Sequence, residues 1–269
     1  KLGCLQNLKS LSLSLFHHIN HLFHELNKYM PYKWDLIFST IFENKNLQTF
    51  NFHAVSWREE IGEDIINSLS SHFKRISKAL TTLKVDFSDL YVSRQGTNTS
   101  NLILNIPILT NLKCLSLYLS MDTSYIKEFQ ALDSALASLK CLISLHLIII
   151  FKQTKDIDFL LRLSWTLSKL TQLQELRLDI PSVNALYVER QFMDFIYELK
   201  NLVKLELHIE YGVMKVAELR RLLKSLKYMR CRKDFKIHRQ CVWGLENENI
   251  STVIGNEPYI FNFPYIQSL

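Results

Sequence analysis

Apolar and polar residues alternate along the chain in a pattern that repeats. Four copies of L-x-x-L-x-L begin at Leu112, Leu142, Leu173 and Leu202, spaced 30, 31 and 29 residues apart. Looser copies begin at Leu8, Leu47 and Leu80, with spacings of 39 and 33 residues and then 32 to Leu112, and another begins at Arg232, 30 residues after Leu202. This alternation is typical of strands with one buried face. We therefore predict strands at 10–14, 49–53, 82–86, 114–118, 144–148, 175–179, 204–208 and 234–238.

The segments between these copies have helical periodicity. One apolar face is formed by Phe192, Phe195, Ile196 and Leu199, and another, over four turns, by Ile61, Ile65, Leu69, Phe73 and Ile76. A unit of about 30 residues with one strand and one helix can bury its apolar face only by stacking on its neighbours. The pattern predicts an α/β solenoid, with parallel strands on the inside of an arc and helices on the outside.

Two segments, Leu109-Thr-Asn-Leu-Lys-Cys-Leu-Ser-Leu and Leu199-Lys-Asn-Leu-Val-Lys-Leu-Glu-Leu, resemble leucine-rich repeats of the ribonuclease-inhibitor-like class. The resemblance covers residues 5–238 and implies a curved horseshoe of about eight repeats. The chain departs from the family pattern, because most copies lack the Asn or Cys that usually follows the strand, and because the first two units are long. We therefore do not expect a regular asparagine ladder.

The repeat organises the chain into a solenoid over residues 1–239 and a C-terminal capping segment over 240–269. The capping segment loses the leucine pattern and contains aromatic residues together with Pro258 and Pro264. A terminal solenoid unit needs such a cover. At the other end Leu5 and Leu8 already belong to a repeat, so the pattern predicts further protein or a partner there.

Residues between the strand leucines point away from the core. They form one column of Ser12, Asn51, Lys84, Ser116, His146, Arg177, Glu206 and Lys236, and a second of Ser14, His53, Asp86, Tyr118, Ile148, Asp179, His208 and His238. On this concave face we predict a partner-binding surface formed by Asn51, His53, Lys84, Asp86, Ser116, Tyr118, His146, Arg177, Glu206 and Lys236.

Charges on neighbouring strands of this face alternate in sign. The predicted register pairs Glu175 with Lys204 and Lys204 with Asp234, Arg177 with Glu206 and Glu206 with Lys236, and Asp179 with His208. A slip of one residue would send these charges into the core, so their placement supports the register. Because each charge has a partner, the ladder argues against a ready-made ion site.

Basic residues are concentrated near the end of the repeat. Residues 215–239 carry a net charge of +8, whereas the whole chain carries +6. The candidate basic patch consists of Arg220, Arg221, Lys224, Lys227, Arg230, Arg232 and Lys233. Such a patch can bind phosphates or an acidic protein, and a solvated helix face is the alternative.

Motifs for catalysis or cofactor binding are missing from the sequence. It has no G-x-S-x-G, P-loop or G-x-G-x-x-G, and no H-E-x-x-H accompanies His17, His21 and His24, which share one side of a predicted helix. We expect no enzyme activity, no cofactor and no metal site.

The five cysteines form no C-x-x-C pair, and no run of 18 apolar residues occurs. An odd cysteine count without an N-terminal apolar segment favours a reducing compartment, so we expect an intracellular protein, cytoplasmic or nuclear, without a membrane span.

These observations favour a non-catalytic scaffold for protein–protein interaction, as a subunit of a larger assembly. The first alternative is a subunit that binds RNA or other nucleic acid through the basic C-terminal end. The second is the substrate-recognition arm of a ubiquitin ligase, which rests on family analogy alone, because no F-box-like segment is recognisable.

Overall fold

Strands alternate with helices along the described chain, which is an α/β fold. The computed structural model describes residues 7–16, 31–55, 59–76, 78–87, 99–121, 126–151, 158–180, 195–209, 214–215, 234–237 and 242–243. The strands are β1 (Ser10–Phe16), β2 (Thr49–Val55), β3 (Thr82–Asp86), β4 (Cys114–Met121), β5 (Ser144–Phe151), β6 (Glu175–Ile180), β7 (Lys204–Ile209), β8 (Met214–Lys215), β9 (Asp234–Ile237) and β10 (Val242–Trp243). The helices are α1 (Pro31–Phe42), α2 (Glu59–Ser71), α3 (Phe73–Ile76), α4 (Ser100–Asn105), α5 (Ile126–Ser138), α6 (Asp158–Ser168) and α7 (Phe195–Glu198), with a 3-10 turn at Ile106–Ile108.

The chain divides into two compact units, an N-terminal unit of residues 1–142 and a C-terminal unit of residues 143–269. In the N-terminal unit β1, β2, β3 and β4 pair in chain order, and all three pairings are parallel. The first residues of the four strands, Ser10, Thr49, Thr82 and Cys114, are aligned with one another. The predicted strand starts and register are therefore confirmed in this unit.

The C-terminal unit repeats this arrangement. Strands β5, β6, β7 and β9 pair in parallel, and Ser144, Glu175, Lys204 and Asp234 are aligned at their starts. A separate parallel pair joins β8 to β10, which belongs to the segment predicted as a cap. The predicted strands and their register are confirmed here as well.

Successive strands are linked by a recurring backbone hydrogen bond just before each strand begins. The amides of Thr81 and Thr82 both donate to the carbonyl of Gln48, at 2.8 and 3.0 Å, and the amides of Val203 and Lys204 both donate to Gln174, at 2.7 and 3.0 Å. Because the same carbonyl position accepts two amides in both units, each strand is held at a fixed offset from its predecessor.

Asparagine side chains add a second link at the same level. Asn111 Nδ2 donates to the carbonyl of Lys78, and Asn201 Nδ2 donates to the carbonyl of Thr171, each at 2.9 Å. Both asparagines precede the strand, whereas the family pattern leads one to look for Asn after it. The two repeats share an Asn-Leu pair, at 111–112 and 201–202, and this pair is the sequence feature that indicates the link.

The core is formed by strand leucines and by the helix residues packed on them. The leucines at these positions in β3 to β7 are buried, whereas Leu11 and Leu13 of β1 are half-buried. In the N-terminal unit phenylalanine replaces leucine at Phe50 and Phe52, and these rings join an aromatic cluster with Phe38 and Phe42 of α1. The centroids of Phe42 and Phe50 are 5.1 Å apart in an edge-to-face arrangement. Aromatic pairs in this geometry add to the stabilisation from burial alone.

The helical face predicted over Ile61–Ile76 is interrupted at one residue. Helix α2 ends at Ser71 and α3 begins at Phe73, with His72 in a turn between them. The amide of His72 bonds the carbonyl of Leu69, a spacing of three residues that tightens the helix end. The side chain of His72 is buried, and its Nε2 lies 2.7 Å from Asp35 Oδ1 on α1. Four residues of the predicted apolar face, Ile65, Leu69, Phe73 and Ile76, are buried, and the side chain of Ile61 lies outside the described part of the chain.

Among the helices that the structure describes, none has both the length and the apolar character needed to cross a bilayer.

Candidate interaction surface

The predicted partner-binding residues alternate with the leucines along the strands. They lie on the sheet face that points away from the core, which was predicted to be concave and is called the outer face below. In the N-terminal unit the candidates differ in exposure: Lys84 is exposed, Asn51, His53, Asp86 and Ser116 are half-buried, and Tyr118 is buried. Tyr118 therefore presents little of its side chain to a partner.

One ion pair joins two predicted residues of the N-terminal unit. His53 Nε2 on β2 lies 3.8 Å from Asp86 Oδ2 on β3, where the register places the two residues opposite each other. The two side chains are 36% and 43% exposed, so solvent screens their attraction and the pair contributes little to stability.

Asp179 is the centre of the outer face in the C-terminal unit. Its side chain is only 8% exposed, and three side chains from three adjacent strands converge on it. His146 Nε2 on β5 lies 3.3 Å from Oδ2, His208 Nδ1 on β7 lies 3.4 Å from Oδ1, and Arg177 on β6 itself reaches Oδ2 through Nε and Nη2, both at 2.9 Å. A buried carboxylate thus contacts one guanidinium and two imidazoles.

Strand geometry brings these groups together. Arg177 and Asp179 are two residues apart on β6, so they share a face. The register places His208 opposite Asp179 and His146 opposite Arg177, so His146 reaches Asp179 along the diagonal. Diagonal neighbours on a sheet face are within reach of long side chains.

These contacts determine the ionisation of Asp179. Burial raises the pKa of its carboxyl group, but the hydrogen bond with His146 and the charge and hydrogen bond of Arg177 outweigh that effect. The pKa of Asp179 is therefore lowered, and the group carries its negative charge at neutral pH.

Glu206 on β7 is a second carboxylate in the same surface. Its oxygens lie 3.7 Å from Arg177 Nε and 3.2 Å from Lys204 Nζ. The predicted pairs Arg177–Glu206 and Asp179–His208 are confirmed. Lys204 is aligned with Glu175 in the register, but its ammonium contacts Glu206, and Glu175 accepts a hydrogen bond from Ser144 at 2.9 Å instead.

The structure thus adds Asp179 and His208 to the candidate residues and places them with His146, Arg177 and Glu206. Pairing by register alone does not predict the contacts of Arg177 and His146 with Asp179, because the register places His146 opposite Arg177. The signal that could have found them is the i, i+2 spacing on one strand and the diagonal offset between strands.

The remaining candidate residues lie outside the residues whose side chains the structure describes. Lys236 belongs to β9 and is aligned with Glu206, but only its backbone placement is described. The basic patch residues Arg220, Arg221, Lys224, Lys227, Arg230, Arg232 and Lys233 lie outside the described residues, as do His17, His21 and His24. They remain sequence predictions.

Within the described ranges, no group of three or more His, Cys, Asp or Glu side chains is suited to hold a metal ion. The Asp179 cluster contains two histidines and a carboxylate, but the Arg177 guanidinium already lies against the oxygen that faces His146. A metal ion bound between His146 and this oxygen would have to displace the guanidinium of Arg177.

In comparisons with known proteins, no family model and no curated protein matches the chain. The arrangement of parallel strands alternating with helices is compatible with a leucine-rich-repeat-like fold.

Proposed function

We propose that the chain is a leucine-rich-repeat protein of the ribonuclease-inhibitor-like class, with about eight repeats, and that it acts as a non-catalytic scaffold for protein–protein interaction. In this proposal it is a subunit of a larger assembly and recognises its partner through the outer face of the strands.

The observation that carries this proposal is the ordered polar surface on the C-terminal unit. Asp179, Arg177, His146, His208 and Glu206 are held by contacts between adjacent strands rather than on loops. Side chains fixed before binding lose less conformational entropy when a partner docks. A surface held in this way suits recognition over several repeats.

The repeat itself supports the family assignment. The strand spacing of 29 to 33 residues from the second copy onward, the aligned strand starts within each unit and the recurring asparagine and backbone links are all features of a stacked array. Repeat proteins of this kind present extended surfaces, and binding is the function that such a surface serves without further machinery.

The test compares how tightly a partner binds to variants on the outer face of the strands and to variants on the exposed side of the helices. Lys84→Glu and Arg177→Gln alter the outer face, whereas Asp64→Asn on α2 and Arg162→Gln on α6 alter exposed helix residues. A partner recovered by cross-linking and affinity purification is then made pure, and its dissociation constant is measured for each variant by calorimetry.

We expect at least one face variant to weaken binding by more than about 1 kcal/mol, as an interface anchor does, while the helix variants leave it unchanged. Equal binding by all four variants would contradict the proposed surface. Loss of binding in the helix variants alone would show that the partner binds the helices and not the outer face of the strands.

A further inference from the structure

Strand β1 forms an open edge of the parallel sheet. It pairs with β2 on one side, and no strand of the described residues lies on its other side. The first residue of each later strand in the N-terminal unit donates its amide back toward the strand before it, as Thr49 does to the carbonyl of Lys9. Ser10 is aligned with Thr49. The amide of Ser10 therefore points to the side where a preceding strand would lie.

Three residues of β1 turn their backbone groups to this open side. The N–H and C=O groups of successive residues point to opposite edges of a strand, so Ser10, Ser12 and Ser14 share one orientation. Their side chains are exposed on the outer face. A row of unpaired backbone donors and acceptors is a template for pairing with a further strand.

The leucines of β1 are also incompletely covered. Leu11 and Leu13 are half-buried, whereas Phe50 and Phe52, at the aligned positions of β2, are at most 1% exposed. The difference follows from position, because β2 lies between two strands and β1 is flanked by one. A strand added to the open edge would remove this remaining apolar surface from water.

Features that keep an edge strand from pairing are missing from β1. Edge strands of natural proteins are commonly very short, or carry a charge, a proline or a bulge. Strand β1 is seven residues long, and its sequence, Ser-Leu-Ser-Leu-Ser-Leu-Phe, contains neither a charged residue nor a proline. It also pairs with β2 residue by residue, without a bulge. This edge is therefore suited to pairing.

We propose that a second copy of this chain pairs with the open edge, so that the β1 strands of two copies lie antiparallel about a two-fold axis at Ser12. The inference goes beyond the proposed function, because the backbone edge of β1 is not part of the surface assigned to another protein.

The alternation of serine and leucine makes β1 complementary to itself. With Ser12 on the axis, Ser10 lies opposite Ser14 of the second copy, and Leu11 lies opposite Leu13 of the second copy. Opposite residues of an antiparallel pair project from the same face, so serines meet on the outer face and leucines meet on the core side. A shift by one residue would set serine opposite leucine and turn the leucines of one copy to solvent.

A two-fold axis also requires an uncharged centre, because identical residues meet there. Ser12 satisfies this condition. The register connects Ser12 through Asn51 to Lys84 on β3, and two copies of β3 could not pair about Lys84 without bringing like charges together. Antiparallel pairing covers the β1 edge of both copies at once, whereas a parallel, head-to-tail contact would leave one edge open.

Sedimentation equilibrium of the full chain, at protein concentrations up to about 0.1 mM, measures whether copies associate. We expect the mass to rise with concentration from the 31.7 kDa of one chain toward twice that value. No larger species should form, because two-fold pairing is closed.

Two substitutions at the axis test which surface pairs. Ser12→Pro removes an amide that points to the open side, where proline is tolerated in an edge strand. Ser12→Lys places two positive charges against each other across the axis. Each should weaken dimerisation at least about tenfold, a change of about 1.4 kcal/mol. Ser144→Lys is the matched control, since it adds the same charge to the outer face of β5 and should leave dimerisation unchanged.

Circular dichroism of each variant checks that the fold is retained, and Ser12→Lys carries the test if Ser12→Pro alters the spectrum. Ser12→Cys adds a positive readout. Opposite residues of a hydrogen-bonded antiparallel pair have Cα atoms about 5.5 Å apart, which is within the range of a disulfide. Mild oxidation should therefore cross-link two copies of this variant. The unsubstituted chain and Ser144→Cys show how much cross-linking arises from other positions.

A chain that stays monomeric at every concentration would overturn the inference. A dimer that survives both Ser12→Pro and Ser12→Lys would also overturn it, as would a dimer that Ser12→Cys cross-links no faster than Ser144→Cys does. If the monomeric chain instead binds a fluorescently labelled peptide of alternating Ser and Leu, and Ser12→Pro abolishes that binding, the edge accepts a strand of another protein and the second copy is wrong.

Discussion

His146 on β5 contacts Asp179 on β6 at 3.3 Å, although the register places His146 opposite Arg177. Asp179 is buried, and the same carboxylate also contacts Arg177 beside it and His208 on β7. A single carboxylate therefore joins the outer faces of three strands. Removing it should affect both stability and the arrangement of the three side chains around it.

Asp179→Asn should lower the free energy of unfolding by about 1 to 3 kcal/mol, because hydrogen bonds to a charged group are lost and the donors around it are left without their acceptor. The measurement is urea unfolding followed by circular dichroism. Asp86→Asn is the matched control, since its pair with His53 is exposed and should contribute no more than about 1 kcal/mol. Equal losses in the two variants would show that burial of Asp179 has no energetic consequence.

The lowered pKa of Asp179 predicts how its contribution depends on pH. A group whose pKa is depressed on folding stabilises the protein above the ordinary pKa of aspartate, about 3.9, and the contribution is lost as the pH falls through the folded value. The stability difference between the protein and Asp179→Asn should therefore shrink as the pH falls below about 4. Urea midpoints measured between about pH 4 and pH 2 test it, and a difference that grows as the pH falls through this interval would have the wrong sign.

Asn111 and Asn201 should contribute by the same link in the two units. Replacement of either by Ala removes one hydrogen bond and should cost about 0.5 to 1.5 kcal/mol. Hydrogen exchange should increase near the affected turn and leave the other unit unchanged. Lys200→Ala, at the exposed neighbouring position, is the control. Faster exchange throughout both units would contradict a local link.

The aromatic cluster should tolerate leucine better than alanine. Phe50→Ala leaves a cavity among Phe38, Phe42 and Phe52 and should cost about 3 to 5 kcal/mol. Phe50→Leu restores the residue that the repeat uses elsewhere and should cost less, although it loses the edge-to-face contact with Phe42. Thermal unfolding of both variants provides the comparison. A larger loss for Leu than for Ala would show that the site cannot repack around an aliphatic chain.

The basic patch remains a sequence prediction with its own test. If Arg220, Arg221, Lys224 and Lys227 contact phosphates, replacing them with Glu should abolish binding to a generic RNA, and log affinity should fall with log salt by roughly 0.7 to 0.9 per contact. We expect weak binding at low salt that disappears near physiological ionic strength. Tight binding at physiological salt, lost in the charge-reversal variant at unchanged thermal midpoint, would favour the nucleic-acid function.

Much of the secondary structure could be predicted from apolar spacing alone. The strand starts at Ser10, Thr49, Thr82, Cys114, Ser144, Glu175, Lys204 and Asp234 are the predicted ones. The period-two pattern has only one register that turns the strand leucines toward the core, and this same constraint places Arg177 opposite Glu206 and Asp179 opposite His208. Local sequence thus determined both the strands and the face to which each side chain points.

Tertiary packing decided features that lie beyond one strand pair. The helical pattern over Ile61–Ile76 carries no sign of the break at His72, where a buried imidazole contacts Asp35 of another helix. Asp179 acquires its contacts with His146 and His208 only when β5, β6 and β7 lie side by side, and its depth relative to Arg177 depends on side-chain length and neighbours. A periodic pattern determines the face of the strand or helix to which each side chain points. The depth of burial and the diagonal contacts depend on atoms that other segments of the chain supply.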